Sequence, residues 1–353
     1  MDLYILNSDF EKIGIIDDFT SLIWHRKFYT SGIFKLNMPQ TENNLALIKE
    51  HNIIHKPGSD EAGIIDTFYY STDEEGKETI EASGYFLTGI LARRIIPALT
   101  TFNATYRDVM RSLVDQNAIT TSAKRVIPHL VLAEAAADTA DKHQLQVTGK
   151  NLLTYIGNVS QVAEIGFKIR YKRSYMEFYT YTGTDRSRNQ SENPRVIFAA
   201  EYDNIGSTEY TYNATAKVTS AYVAGEGEGA ARTIIEVDNG ETGLDRYETF
   251  VDSRSSREEG MTDAEYLELL RQNGLEVITP AAENFSGDTT ESETTVYKQD
   301  YDLGDIVTIF NKKWSKELSA RITEVEEIDD TNGSRIVVYF GSTERTLADI
   351  LNE

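Results

Sequence analysis

The sequence predicts a mainly β protein with α+β character: strand-rich segments at both ends, a small inserted α/β module between them, and a helical insert in the second strand-rich part. Three observations predict it. Tyr (20) and Phe (14) far outnumber Pro (6), and Thr, Val and Ile recur in short runs, the usual composition of strands. Many of these runs alternate apolar and polar residues with a period of two and are bounded by turn residues. In the middle of the chain the period changes to that of a helix.

Residues 1–96 read as strands joined by turns. Leu3–Leu6 runs into a turn at Asn7-Ser8-Asp9, and further strands are expected at Lys12–Ile16, Ser21–Phe28 and Gly32–Met38. Ile53–His55, Ala62–Tyr70 and Glu78–Ser83 follow, the last two joined by the turn Asp73-Glu74-Glu75-Gly76. Short helices are expected at Asn43–Lys49 and Tyr85–Leu91. Residues 97–187 read as the α/β module. Tyr106, Val109, Met110, Leu113 and Val114 share one helical face, a second helix spans Asn151–Val162, and Gly166–Tyr171 with Met176–Tyr181 form a hairpin. The Ala- and Asp-rich stretch 131–142 reads as a mobile or helical connector.

Residues 188–353 return to strands at Val196–Ala199, Ser207–Asn213, Ala216–Ala224 and Arg232–Val237. A helical insert at about 250–290 interrupts them. Thr262-Asp263-Ala264-Glu265 is a capping box, Tyr266, Leu269 and Leu270 form the apolar stripe, and Gly274 is expected to end the helix. Strands resume at Glu293–Gln299, Ile306–Phe310, Ser319–Ile328 and Arg335–Phe340, with Asn332-Gly333 marking the last hairpin.

Composition excludes several functions. There is no cysteine, hence no disulfide, thiolate nucleophile or Cys-ligated metal. No apolar run reaches the roughly 18–20 residues a membrane-spanning helix needs, and the N-terminus has no signal-peptide pattern. A net charge of −22 repels a phosphate backbone, so no specific nucleic-acid binding is expected. Such a charge serves solubility, or forms an acidic wall along which DNA passes without sticking.

No nucleophile, Walker, zincin or kinase motif stands in the sequence, and no enzyme, metal or cofactor is expected. His51 and His55 stand four apart, but Asn52-Ile53-Ile54 reads as strand, so the two imidazoles do not share a helix face. The acidic pairs Asp17-Asp18, Glu74-Glu75, Glu258-Glu259, Glu326-Glu327 and Asp329-Asp330 read as solvated turns and strand ends rather than a hydrolase dyad. Gly225-Glu226-Gly227-Glu228-Gly229 alternates glycine with acid and would repel a phosphate; it reads as a flexible hairpin tip or disordered loop. Basic clusters stand at His25-Arg26-Lys27, Arg93-Arg94 and Arg170-Tyr171-Lys172-Arg173; the last, with Tyr171 and Tyr175 interleaved, fits a contact with a neighbouring subunit at least as well as a nucleic-acid patch.

Several segments taken in order carry a resemblance. They are Gly14–Phe19, Ser21–Trp24 and Gly32–Leu36, then Gly63–Asp66, Ser83–Leu87 and Leu91–Ile95. Gly183–Ser187 with Val196–Phe198 follows, and finally Asp300-Tyr301-Asp302-Leu303-Gly304-Asp305 with Ala320–Val325 and Phe340-Gly341. Together these segments resemble the siphophage tail hub, or tail-associated, family, related to the baseplate hub proteins of contractile-tailed phages. The resemblance implies two tail-tube-like β-barrel domains, at 1–96 and 188–353, bracketing the module at 97–187. It also implies a non-enzymatic homotrimer, a pseudo-sixfold ring at the virion tail tip. The implied partners are a distal tail protein ring, the tail tube protein and the tape measure protein, with DNA passing through. Trp24, Gly32, Gly84, Asp185, Arg186, Asp302, Gly304, Asp305, Arg321 and Gly341 are the motif residues expected to carry this architecture. Asp300, Asp302 and Asp305 around Gly304 read as a loop ordered by carboxylates rather than a cation site. The chain stops at Glu353, soon after the last strand, so a hub core without an appended hydrolase or fibre is expected. A carbohydrate-binding or cell-wall-hydrolase component of the tail tip is the rival reading.

Overall fold

The computed structural model describes residues 1–134, 139–254, 256–257, 260–290 and 295–341. Strands β1 (Leu3–Leu6), β2 (Lys12–Ile16), β3 (Ser21–Lys27) and β4 (Ile33–Pro39) precede helix α1 (Glu42–Leu47). β5 (Ile53–His55), β6 (Ala62–Ile64), β7 (Thr67–Thr72) and β8 (Glu78–Tyr85) complete the first strand-rich part. The module follows as β9 (Thr100–Ala104), α2 (Tyr106–Val114), β10 (Leu130–Leu132), β11 (His143–Val147), α3 (Leu152–Ala163), β12 (Gly166–Tyr171) and β13 (Met176–Tyr181). The last part runs β14 (Ile197–Ala199), β15 (Glu209–Asn213), β16 (Ser220–Ala224), β17 (Ile234–Asp238), β18 (Glu248–Asp252) and α4 (Asp263–Leu275). It ends with β19 (Ala282–Thr289), β20 (Ile306–Asn311), β21 (Lys316–Asp330) and β22 (Gly333–Gly341).

One sheet of ten strands joins the two ends of the chain. Its order is β15-β19-β22-β21-β3-β4-β8-β7, with β20 hydrogen-bonded to β21 and β14 to β20. The seam is the antiparallel pair β21–β3, from Glu324 opposite Lys27 to Asp330 opposite Ser21. β21 is long enough to serve two neighbourhoods. Its first half pairs with β20, its second half with β3, and the register with β22 shifts between Ile322 and Glu324. Alternation decides the faces. Leu22 and Trp24 on β3 and Phe34, Leu36 and Met38 on β4 all point into one core, and burying each such side chain stabilises the fold by about 1.5–3 kcal/mol. Phe198, Phe285, Val307, Val325 and Phe340 form the corresponding core of the C-terminal part. Among the described residues this sheet stays open: β15 and β7 each have one partner.

The module packs α2 and α3 against β12 and β13, with Val109, Met110, Leu113, Ile156, Phe167 and Phe178 in its core. Thr105 and Asn151 cap the two helices through their side-chain oxygens. A separate small unit lays α4 on the sheet β17-β16-β18, burying Tyr266 and Leu270 against Ala221, Val223 and Val237. The capping box at Thr262 and Glu265 is present.

Several expectations change. Among the described residues of 250–290 the helix is confined to α4, because β18 completes the small sheet and β19 is held by hydrogen bonds to both β15 and β22. Little in β19 marks it as a strand: only Phe285 and Gly287 are buried. Gly274 lies inside α4, which runs on to Leu275, where a Cβ would press on Val237. The helix expected at Tyr85–Leu91 is a 3-10 turn over Leu87–Arg93. Ala62–Tyr70 breaks into β6 and β7, since Ile65 leaves the ladder to bond with His51 and Asn52. In the stretch 131–142, Val131 and Leu132 belong to β10, paired in parallel with β13, while 135–138 lie outside the described residues. β9 and β11 carry little strand signal in the sequence, because they pair only with each other and hold few apolar residues. Of the strand expected at Glu293–Gln299, residues 293–294 lie outside the described ones, and 295–299 form no strand but one bridge from Tyr297 to Tyr301 and a turn from Lys298. The acidic pair Glu258-Glu259 also lies outside the described residues. The stretch 225–229 is held in place, with Gly225 N–H bonded to Thr233 and Glu226 N–H to the Tyr266 hydroxyl.

Candidate functional site

In a chain read as structural, the functional candidates are the joints that fix its parts and the surfaces left for other chains. The first joint is ionic and buried. Strand β3 alternates Leu22, Trp24 and Arg26 onto the covered face, so Arg26 enters the protein interior with 4% of its surface exposed. Its Nε donates to Glu61 at 2.7 Å, and Glu61 is 2% exposed. Its Nη1 donates to the Tyr297 hydroxyl at 2.6 Å and to Asp302 at 2.7 Å. Glu327 on β21 accepts from Tyr297, from Lys298 at 2.8 Å and from Lys56 at 2.8 Å. Lys168 on β12 reaches Asp60 at 2.8 Å. The cluster thus ties the first strand-rich part, the module and the C-terminal part at one point.

Its electrostatics follow from burial against pairing. Burial alone would raise the Glu327 carboxyl, but Lys56 and Lys298 outweigh it and hold the group down to about 2. Burial also works against the Asp60 carboxylate, yet Lys168 brings it below the usual range. Burial opposes the Arg26 cation, but Tyr297, Glu61 and Asp302 keep it firmly charged. Burial pushes the Tyr181 and Tyr297 phenols up. A buried pair of this kind contributes little net stability, but losing one partner strands the other charge, so it enforces a single arrangement.

The second joint gathers six of the ten motif residues. Asp305 accepts from Thr184 N–H at 2.7 Å, from Arg186 Nε at 2.9 Å and from Asp302 N–H at 3.1 Å. Asp185 accepts from Ser187 N–H at 2.8 Å, and Arg321 donates to the Gly304 carbonyl at 2.7 Å. Gly304 has φ +97° and lies on the Phe28 ring, so the loop needs glycine twice over, for its backbone and for the contact. Trp24, Gly32 and Gly84 belong to another neighbourhood. Trp24 packs on Phe86 at 4.4 Å, a Cβ on Gly32 would strike Phe86, and one on Gly84 would stand 1.8 Å from the Ile64 carbonyl oxygen. Gly341 stands apart, at the end of β22 against Glu283.

The ionic joint was missed in the sequence. Arg26 stands in a basic cluster and Glu327 in an acidic pair expected to be solvated, and burial of both side chains corrects the expectation. The signal was there for Arg26: it continues the period-two series of Leu22 and Trp24 on the core face. Lys56, Asp60 and Glu61 gave no such signal. Of the other basic clusters, Arg93 pairs with Asp66 and Arg170 with Glu177 inside the chain. His51 sits in a turn at φ +67° and His55 bonds the Ser59 carbonyl. Among the described residues no group of His and acids could hold a metal, and no helix is long and apolar enough to cross a membrane.

Candidate surfaces for other chains lie at the two ends of the large sheet. Among the described residues β7 and β15 each leave one backbone edge unpaired. On β7 the side chains in line with the core face are Phe68 and Tyr70, 40% and 42% exposed. On β15 the matching residues are Tyr210 and Tyr212, the latter 56% exposed. The core layer therefore runs past its cover at both ends, with aromatic rings uncovered. The opposite face carries ion pairs, Lys35 with Glu81, Lys27 and His25 with Glu324, and Arg335 with Asp330, beside exposed Ile33, Tyr69 and Tyr85.

The model of one protein family, described as Siphovirus ReqiPepy6 Gp37-like protein, matches residues 2–342. Among curated protein sequences no match is found. Solved structures share the fold over nearly their whole length. The 43 kDa tail protein of prophage MuSo2 from Shewanella oneidensis has a TM-score of 0.62 and 13% identity, covering 96% of this chain and 98% of that one. The tail protein from Neisseria meningitidis MC58 has a TM-score of 0.60 and 11% identity, covering 97% and 96%. The prophage tail protein gp18 from Listeria monocytogenes EGD-e has a TM-score of 0.58 and 11% identity, covering 100% and 98%.

Proposed function

The chain belongs to the Siphovirus ReqiPepy6 Gp37-like protein family, and from that premise we propose that it is the hub subunit of a phage tail tip. Three copies close head to tail into a ring, β7 of one copy beside β15 of the next. Each copy supplies two tube-like halves, residues 1–96 and 188–353, so the ring is pseudo-sixfold, and the barrel is completed across copies rather than within one. The module at 97–187 and the α4 unit stand outside it. The ring joins the distal tail protein ring and the tail tube to the tip, receives the end of the tape measure protein and lets DNA pass. The ion-paired face of the sheet, in a chain of net charge −22, gives a wall that does not hold DNA.

The observation that carries this reading is the pair of open edges, β7 and β15, each with uncovered aromatic residues in line with the core. Two different edges make a heterologous contact, which generates a ring when the rotation closes. Covering both edges removes unpaired backbone groups and exposed rings together. Electron microscopy of tails carrying this chain, averaged at the tip, tests it. Three copies around the tail axis with continuous strand density between them are expected. Six copies, or absence from the tip, overturns the reading.

A further inference from the structure

The first strand-rich part and the module meet along a cleft of about 540 Å³. Phe10, Ile53, Ile64, Leu87, Ile90 and Met176 line it. Its size and apolar walls are those of a binding pocket rather than of a packing defect. Two of its walls are held in the left-handed backbone region by residues other than glycine, Phe10 at φ +63° and His51 at φ +67°. Such strain concentrates at ligand clamps.

The mouth is basic, in an acidic chain. Arg93 and Arg94 line it and Arg125 stands behind them. Of the three, Arg93 faces a carboxylate, Asp66 at 2.9 Å. Arg94 donates to the carbonyls of Arg125 and Arg93, and Arg125 donates to the carbonyl of Ile95. The other charged groups at the rim are Glu50 and His51, which face each other at 3.5 Å. Burial first, and then the fields of Arg125 and Arg93, hold the Arg94 guanidinium below its usual value. An anion brought to Arg94 relieves that mutual repulsion.

We infer that this cleft binds the chain's own C-terminal segment, residues 342–353, from the same or a neighbouring copy. That segment lies outside the described residues. Its sequence offers what the cleft lacks: Leu347, Ile350 and Leu351 for the apolar walls, and Glu344, Asp349 and Glu353 against one Arg345 for the basic mouth. Twelve residues reach roughly 40 Å when extended. The cleft is lined by no residue of β7 or β15, so the inference does not depend on how the ring closes.

The chain has no cysteine, which makes a two-cysteine test clean. Ser8→Cys at the rim of the cleft is combined with Asn352→Cys in the full chain and exposed to a mild oxidant. A control pairs Asn352→Cys with Glu75→Cys, in the exposed turn between β7 and β8. Most of the Ser8 variant is expected to cross-link, several-fold above the control; a fast-running monomer band on a non-reducing gel assigns the segment to its own copy, a dimer band to a neighbour. Adding Arg94→Glu is expected to bring the yield down to the control level, and Arg94→Lys to keep it, with circular dichroism verifying the fold of each. A yield no higher than the control, or one that Arg94→Glu leaves unchanged, overturns the inference.

Discussion

Arg26 and Asp302, 276 positions apart in the chain, meet at 2.7 Å in the joint where the three parts of the fold converge. Arg26 also holds Glu61, which is almost completely buried. Removing the guanidinium leaves Glu61 without its charge partner in a medium that solvates it poorly. Arg26→Met is expected to cost about 3–5 kcal/mol in urea unfolding. The double variant Arg26→Met with Glu61→Met is expected to recover most of that loss, because no isolated charge remains. A double variant as unstable as the single one would sink this account.

Glu327 gives the joint a pH dependence of known sign. Its folded-state carboxyl is held at about 2, below its usual 4.5. The stabilisation is therefore complete above about 4.5 and is lost as the pH falls toward 2. The difference corresponds to about 3 kcal/mol. Thermal unfolding recorded between pH 7 and pH 2.5 is expected to show a steeper decline for the native chain than for Glu327→Gln, which should already be destabilised at pH 7. Parallel curves would rule Glu327 out as the source.

The two open edges predict an assembly that a self-complementary contact cannot give. Phe68→Glu blocks β7 and leaves β15 intact; Tyr212→Glu does the reverse. Each variant alone is expected to remain monomeric under conditions where the native chain forms a ring. Mixed, the two are expected to form a capped dimer through the intact edge of each. Light scattering on the mixture reads this directly, and a mixture that stays monomeric counts against head-to-tail pairing.

Gly84 has no room for a side chain, since a Cβ would stand 1.8 Å from the Ile64 carbonyl oxygen. At Gly206 the nearest atom to a Cβ is 3.7 Å away. Gly84→Ala is expected to destabilise by about 1–3 kcal/mol, as overpacking does, and Gly206→Ala to have little effect. Melting temperatures of the two variants provide the comparison; equal values would mean that β6 and β8 can move apart at no cost.

Thr262→Ala removes the cap of α4 and is expected to cost that helix about 1 kcal/mol. Hydrogen exchange should speed up in α4 and leave the large sheet unchanged, because α4 packs on its own small sheet.

Much of the fold was legible because local patterns dictate it. Alternation in Ser21–Lys27 and Ile33–Pro39 specified strands and their buried faces; the spacing of Tyr106, Val109, Met110 and Leu113 specified α2; and Thr262 with Glu265 specified the start of α4. Each signal lies within a dozen residues and reports which face turns away from water. Local signals also located the hairpin of β21 and β22, although its turn falls on Thr331-Asn332, one residue before the expected pair.

What the sequence by itself determined is the class of the protein: strand-rich ends, an α/β module, an acidic net charge, and a series of segments that resemble tail hubs. Only the tertiary structure decided that β3 and β21 join both ends in one sheet, that β19 is a strand, and that Arg26, Glu61, Asp302 and Glu327 meet in the interior. The reason is physical. Periodicity records burial along the chain, whereas ladder hydrogen bonds and ion pairs depend on partners hundreds of residues away. A charged side chain reads as surface until the element that covers it is known.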